Sequence, residues 1–476
     1  MSAATARPRS DPFAALRGVK PRPRPRELGL LVLVAVVLVA GSVSLGLYRT
    51  HRLDPADGGV VVSYLIALGI GHFAQVLAGR RTDQVLLPAM GLLGGIGLLV
   101  MIRLPQELVQ QSFGGTTLGL AQAQLAWLVL AIVVASVLAI IVRNDSWLRL
   151  YKYTWAAAGI ALLLATFVLG RDRNGATLDI HLGPISGQPS ELLKVILVVF
   201  LAAYLSENRP LLVEQYTRLG PFRLPPLPYL IPMVAMWALA LLIVVVQRDL
   251  GAALLFFAVF LLLLYVATGR ATYVVLGLAA FVVGSFLAYK LFGVVRERVD
   301  IWLDPWSVAQ GAGYQVVQAL YAFGRGGILG TGLGAGLPTI GGNLPIPEVN
   351  TDFVFAALGE ELGLVGVLAV LGLYLVIVER GLRIAAAAAD DFRALLATGL
   401  TLVVGVQAFV IAAGNLKLIP LTGITLPFVS YGGSSLLANA LVVGLLLALS
   451  DRGVEAPPPP RPPGGRLARL VDRGAR

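Results

Sequence analysis

Twelve separate blocks of nearly uninterrupted apolar sequence, each roughly 17–25 residues long, constrain this chain more than any other feature. That length spans a bilayer as an α-helix, and a bilayer accepts only helices and closed barrels, because its interior offers no partner for backbone N–H and C=O groups. The blocks fall at about 28–47, 58–78, 84–103, 121–142, 153–170, 190–206, 227–247, 249–268, 272–292, 352–379, 394–413 and 433–450. The sequence therefore predicts an all-α, polytopic integral membrane protein with about twelve transmembrane helices. Only 13% of the 476 residues are charged, against about 25% in soluble domains.

Charge sets the expected orientation. With both termini cytoplasmic, 25 of the 37 Lys and Arg residues fall on the cytoplasmic side, the positive-inside pattern. The net charge of +11 then reports topology and attraction to anionic membrane lipids. The basic residues are scattered over short turns, and no nucleic-acid partner is expected. Residues 1–27 read as a basic cytoplasmic tail, 28–451 as the membrane domain and 452–476 as a Pro-rich basic tail. The first block is too long for the apolar core of a cleaved signal peptide and reads as an anchor. Cysteine is absent, and His51, His72 and His181 lack any zinc-site spacing.

The unusual chemistry lies in three segments expected on the outer side: 171–194, the long extracytoplasmic loop 293–351, and 414–435. The long loop carries Trp302, Trp306, Tyr314, Tyr321 and Phe323, which favours an ordered, functional loop. At its end, Asn350-Thr351-Asp352-Phe353 places a carboxylate at the mouth of a membrane helix. Asn350 or Thr351 can cap that helix, and Asp352 in a first turn would be held ionised by the helix dipole. Read locally, Asp352 is either a simple helix-end charge or a reactive group. Glu360 and Glu361 are expected deeper in the same span, roughly 12 Å along its axis. Each calls for a partner or water, and an ion pair to another helix is expected for at least one.

In Gln188-Pro189-Ser190-Glu191-Leu192-Leu193-Lys194 the Glu and Lys share a helix face. They read either as a self-compensating pair or as a functional pair with Lys194 set against a phosphate at the outer leaflet. The Gly-rich run 324–336, which holds Arg325, lacks the strand–helix setting of a nucleotide loop and reads as backbone lining a cavity. In Leu426-Pro427-Phe428-Val429-Ser430-Tyr431-Gly432-Gly433-Ser434-Ser435, Pro427 and the paired glycines Gly432 and Gly433 interrupt an apolar stretch, and Ser430 and Ser434 supply donors.

Taken in order, these pieces resemble one family, the shape, elongation, division and sporulation glycosyltransferases of the RodA/FtsW/SpoVE type. The resemblance rests on Gln188-Pro189-Ser190-Glu191 with Lys194; on Gln247-Arg248-Asp249-Leu250-Gly251; and on Trp302-Leu303-Asp304-Pro305-Trp306 with Gly313-Tyr314-Gln315. It also rests on Asn350-Thr351-Asp352-Phe353 with Gly359-Glu360-Glu361-Leu362-Gly363, and on Leu426 through Ser435. It covers about residues 121–450. Three departures stand out: Asn350 where the family has His, Arg248 where it has Pro, and two extra spans at the N-terminus beyond a ten-helix core.

The resemblance implies polymerisation of glycan strands from lipid II at the outer face of the cytoplasmic membrane, with release of undecaprenyl diphosphate. It implies a class B penicillin-binding transpeptidase as partner, and it puts the essential carboxylate on Asp352. On that basis Asp352 is expected as the general base or as the ligand of Mg²⁺ or Mn²⁺. Gln188, Glu191, Lys194, Arg298, Arg325, Ser430 and Ser434 are expected to bind substrate. Asp304, Glu360, Glu361, Pro427, Gly432 and Gly433 are expected to be structural or to line the cavity. The extended N-terminus leans toward the elongation type. A lipid II flippase is the alternative, although the polar motifs cluster on one side and no inverted repeat is visible. A scaffold that only recruits the transpeptidase would tolerate replacement of Asp352.

Overall fold

The computed structural model of the protein describes residues 20–50, 55–109, 111–113, 116–173, 176–182, 185–214, 217–219, 222–224, scattered positions between 231 and 247, 249–336 and 344–451. The helices in chain order are α1 (Pro25–Thr50), α2 (Pro55–Leu77), α3 (Leu86–Arg103), α4 (Leu120–Ile141), α5 (Ser146–Leu150), α6 (Lys152–Leu169) and α7 (Pro189–Glu214). They continue as α8 (Leu250–Thr268), α9 (Ala271–Leu291), α10 (Gly293–Leu303), α11 (Tyr314–Gly326), α12 (Val354–Ala386), α13 (Asp391–Asn415) and α14 (Gly433–Leu449). Nine of these are long and apolar enough to cross a membrane among the described residues, and α6 and α14 are further apolar helices. Eleven of the twelve expected blocks thus coincide with a helix; the twelfth, 227–247, falls largely outside the described residues. The chain is a multi-pass membrane protein. Short antiparallel pairings decorate the loops, including a three-stranded one over 170–187.

Helices α3, α7 and α13 form the centre and are mostly buried, whereas α1, α2 and α9 lie at the edge. Helix α9 has one buried residue, Tyr273. Its apolar exposed surface suits lipid as solvent. Helix α14 packs chiefly on α4, and α13 on α12, α7 and α8.

The end of the bundle that holds Arg24 and Asp451 is laced by ion pairs between basic turns and helix ends. Arg80 meets Asp451 at 2.7 Å and Arg393 meets Asp145 at 2.8 Å, and Arg380 pairs with Asp83. Arg24, within the expected basic tail 1–27, is buried. It pairs with the fully buried Glu27, which also bonds His72 Nδ1 at 2.7 Å, and it donates to Thr82 Oγ1 at 2.7 Å. That network ties the two extra N-terminal helices to the turn before α3.

At the opposite end, α12 is not one rod. Gly363 sits at φ 64°, ψ −166°, which divides it into a short segment, 354–362, and a long one, 364–386. That backbone region is essentially reserved for glycine. The break frees backbone groups that an apolar surrounding cannot satisfy, and the Gly-rich run supplies partners. Thr331 N–H donates to Glu360 O and Gly332 N–H to Glu361 O, both at 3.0 Å; Leu364 N–H reaches Gly327 O at 2.9 Å and Val365 N–H reaches Ile328 O at 3.1 Å.

Replacing Gly363 by Ala would place a Cβ 2.2 Å from Gly330 N. Gly363→Ala is expected to cost at least about 3 kcal/mol. Gly372→Ala, in open helix with nothing within 4 Å, is expected to be neutral or stabilising by about 0.5–1 kcal/mol. Thermal unfolding of the two variants in detergent measures the contrast.

Candidate active site

The break at Gly363 turns the Asp352 segment sideways. Asn415, at the end of α13, donates to Asp352 O at 2.9 Å, and Arg103, at the end of α3, pairs with Glu361. Helices α3 and α13 end on the same side of the bundle, so the first segment of α12 crosses that end. Glu360 and Glu361 are therefore not deeper in the span than Asp352, as a continuous helix required.

Asp352 itself precedes the helix. Phe353 is the N-cap residue of α12, without a side-chain cap bond, so the expected capping by Asn350 or Thr351 is not made. Instead the N–H groups of Thr351, Asp352 and Phe353 all reach Glu348 O at 3.1–3.2 Å, which forms a tight turn. The three preceding carbonyls are held from outside. Tyr431 N–H donates to Asn350 O at 2.8 Å, Ser430 Oγ to Thr351 O at 2.5 Å, and Asn415 Nδ2 to Asp352 O.

Arg298 approaches from α10. Its Nη1 donates to Leu421 O at 3.2 Å and Thr422 O at 3.0 Å, while Trp302 one turn on donates Nε1 to Lys417 O at 3.0 Å. Gly423 lies between the charges: a Cβ there would be 3.6 Å from Asp352 Oδ2 and 3.8 Å from Arg298 Nη2. Burial pushes the Arg298 guanidinium below its ordinary value, and Asp352, Asp249 and Glu297 oppose that shift. Arginine stays charged throughout the physiological range.

A second carboxylate sits close by. Asp249 caps α8 by accepting from Ala252 N–H at 3.0 Å; it also accepts from Ser190 Oγ at 2.9 Å and Gln188 Nε2 at 3.1 Å. Gln188 N–H donates to Ser434 Oγ at 3.0 Å, which joins the 426–435 segment to α7. Gln188 and Ser434 thus bind protein groups at the rim of the site, and Asp249 joins it. Arg248, next in sequence, lies outside the described residues.

Other expected ligands are already engaged. Lys194 is 2% exposed; it pairs with Glu191 at 2.6 Å and donates to Gln407 Oε1 at 2.8 Å and Asn439 Oδ1 at 3.2 Å. The self-compensating reading of Glu191 and Lys194 is the one this geometry supports, because a lone ammonium among apolar helices is costly. Arg325 pairs with Glu360 at 3.1 Å, not with an open site; two adjacent carboxylates each need a cation, and Arg103 serves the other. Ser430 is buried, holding its own loop through Leu426 N–H as well as Thr351 O. Pro427 O accepts from Tyr374 OH at 2.6 Å. A Cβ on Gly433 would strike the Trp127 ring, while Gly432 has only ordinary contacts. Asp304 is exposed and caps a turn through Trp306 and Ser307 N–H. Asn415, Gln407 and Asn439 were not anticipated; their signal was a lone amide in an apolar span.

A groove of about 290 Å³, lined by Val245, Leu250, Leu291, Phe292, Val294 and Val295, opens at the start of α10, the helix that carries Arg298. Among the described residues no three acidic, His or Cys side chains converge on one point. Asp352 fits a divalent cation only in the manner of Mg²⁺ sites that use one or two carboxylates and complete their shell with water and substrate phosphates.

The model of the family described as cell cycle protein, that of FtsW, RodA and SpoVE, matches residues 83–453. The chain is 39% identical over 404 residues to the peptidoglycan glycosyltransferase RodA of Mycobacterium tuberculosis, covering 84% of each chain. It is 36% identical over 320 residues to the probable peptidoglycan glycosyltransferase FtsW of Geobacter sulfurreducens, covering 65% of this chain and 82% of that one. Among solved structures it resembles a chain described under "Structural coordination of polymerization and crosslinking by a peptidoglycan synthase complex", with TM-score 0.55 and 26% identity over 84% of this chain and 98% of that one. It also resembles a variant of the rod shape determining protein RodA of Thermus thermophilus, with TM-score 0.54 and 25% identity over 78% of this chain and 97% of that one.

Lys194 offers a test of the ion-pair assignment. Lys194→Met alone strands Glu191 and is expected to destabilise by about 3–5 kcal/mol. Adding Glu191→Gln is expected to restore most of that loss, as read by thermal unfolding in detergent. If both variants unfold alike, the pair is not self-compensating.

Proposed function

The chain belongs to the FtsW/RodA/SpoVE family, and on that premise we propose that it polymerises the glycan strands of peptidoglycan from lipid II. The observation that carries this reading is the approach of Arg298 to Asp352 across Gly423, with a groove at the start of the same helix that carries Arg298. A polyprenyl diphosphate donor needs those features together: a groove for the chain and a cation for the phosphates.

The reaction inverts the anomeric centre, so the acceptor attacks directly. The 4-hydroxyl oxygen of the acceptor GlcNAc bonds to the donor C1 as the C1–O bond to the diphosphate breaks. Asp352 accepts the hydroxyl proton, and undecaprenyl diphosphate leaves with the bonding pair. General base assistance of this kind contributes about 10²–10⁴-fold. Arg298 offsets the charge that develops on the leaving group, an effect strongest where water is excluded. The half-buried guanidinium, fixed by two carbonyls, needs little reorganisation for that task. Mg²⁺ or Mn²⁺ bound by Asp352 and the donor phosphates would supply further charge neutralisation.

The site faces outward in this reading, with both termini cytoplasmic; the Arg-rich turns at the opposite end support that orientation. The greater coverage of the RodA relative favours a role in elongation. A class B transpeptidase is the proposed partner, consistent with a resemblance to a chain of a peptidoglycan synthase complex.

The test is polymerisation of lipid II in detergent by the purified chain with its transpeptidase, with and without Mg²⁺ or Mn²⁺. Native protein is expected to make polymer, and Asp352→Asn to lose at least about 10² of the rate. Full activity in Asp352→Asn would remove the assigned role. Absence of polymer together with lipid II translocation in liposomes would replace the enzyme by a flippase.

A further inference from the structure

Three consecutive carbonyls, those of Asn350, Thr351 and Asp352, are each held by a different donor: Tyr431 N–H, Ser430 Oγ and Asn415 Nδ2. Backbone carbonyls in a turn are usually satisfied locally or by water. Here the donors come from two elements distant in sequence, the end of α13 and the 426–431 segment. Each donor is itself fixed. Ser430 Oγ accepts from Leu426 N–H at 2.9 Å, and Asn415 Nδ2 also donates to Ile411 O at 3.1 Å, one helical turn back in α13. Both residues are buried at 1–2% exposure.

The loop that follows Asn415 also holds the cation. Leu421 and Thr422 supply the two carbonyls that fix Arg298, Lys417 supplies the one that fixes Trp302, and Gly423 separates Arg298 from Asp352. One segment, 415–423, therefore sets the acid at its start and the guanidinium at its end.

From this geometry we infer that Asn415 and Ser430 are positioning residues for the reaction. They fix the backbone of Asp352 relative to Arg298 and touch neither substrate. Ser430, expected from sequence to bind substrate, is reassigned by its two bonds to protein. The Asn415 amide is placed for the same task, and its Oδ1 is buried without a hydrogen-bond partner among the described residues. It acts as a donor only. The inference rests on Asp352 as the reacting carboxylate.

A displacement of about 1 Å at a reacting group can cost about 10²-fold in rate. Asn415→Leu keeps the shape and removes the donor. It is expected to lower kcat for lipid II polymerisation by about 10²-fold, with KM within about two-fold of native. Ser430→Ala is expected to act in the same direction, and Ser430→Thr, which keeps the hydroxyl, to restore kcat. In an Asp352→Asn background, Asn415→Leu is expected to change the residual rate by less than about two-fold, because the group it positions is already lost. A purely structural residue would lower both backgrounds alike.

Native kcat in a folded Asn415→Leu protein overturns the inference, as does a rise in KM with kcat unchanged, which would mean contact with substrate. Should Asn415→Leu not fold, Ser430→Ala read against Ser430→Thr decides on the same criterion. Loss of the underlying reading is distinguishable: it shows as full activity in Asp352→Asn, whereas loss of this inference alone shows as an inactive Asp352→Asn beside fully active Asn415 and Ser430 variants.

Discussion

The break in α12 at Gly363 is the constraint on which the rest of the site depends. A continuous helix from Val354 to Ala386 would be about 50 Å long, well beyond the hydrocarbon core of a bilayer, about 30 Å. It would also send Glu360 and Glu361 into the membrane beneath Asp352. The break lets 364–386 serve as the span and lays 354–362 across the bundle end. It is tolerated because the 326–332 run returns to bond the freed groups on both sides of the kink. The glycines of that run thus answer to the backbone of another element. Their resemblance to a phosphate loop was a coincidence of composition.

Charge at this end of the bundle follows the same logic. Three acids in the cap meet cations: Glu361 with Arg103 of α3 and Glu360 with Arg325 of α11, each from another element, and Glu191 with Lys194 within α7. These pairs remove the penalty of ionised groups near hydrocarbon and fix the register between helices. They also engage Lys194 and Arg325 with protein partners. Arg298 differs, because its hydrogen bonds go to neutral carbonyls and its charge is set against Asp352 and Asp249.

Span positions were legible in the sequence because hydrocarbon enforces them one helix at a time. The helices at 86–103 and 391–415 follow from local apolar length alone. Asp352 was singled out too, through its place in an ordered series of motifs, and the fold sets it across Gly423 from Arg298. The sideways course of 354–362 was not legible, since a single Gly in an apolar run carries no sign of whether its φ is positive. Nor was the assignment of Lys194: Glu191 at i−3 allowed a pair, but Gln407 and Asn439, more than two hundred residues on, decided it. The role of Asn415 was hidden for a similar reason. A lone amide near a helix end has many partners open to it, and only the fold brings it to Asp352 O.

The geometry also changes how Asp352 should be understood electrostatically. A carboxylate in a first helical turn owes its surroundings mainly to the helix dipole, which decays within a turn. Asp352 lies before the N-cap, and the backbone N–H groups of residues 351–353 converge on Glu348 O. The positive charge set against it is Arg298 on another element, held by the Leu421 and Thr422 carbonyls of the 415–423 loop. An acid set in this way is tuned by loop geometry, and a loop between α13 and α14 can shift both members of the pair at once. Gly423, at φ +71°, lies between the two groups. A side chain there would have to enter the left-handed region at a cost of roughly 1–2 kcal/mol while standing between the two charged groups. The acid and the guanidinium are therefore a single mechanical unit.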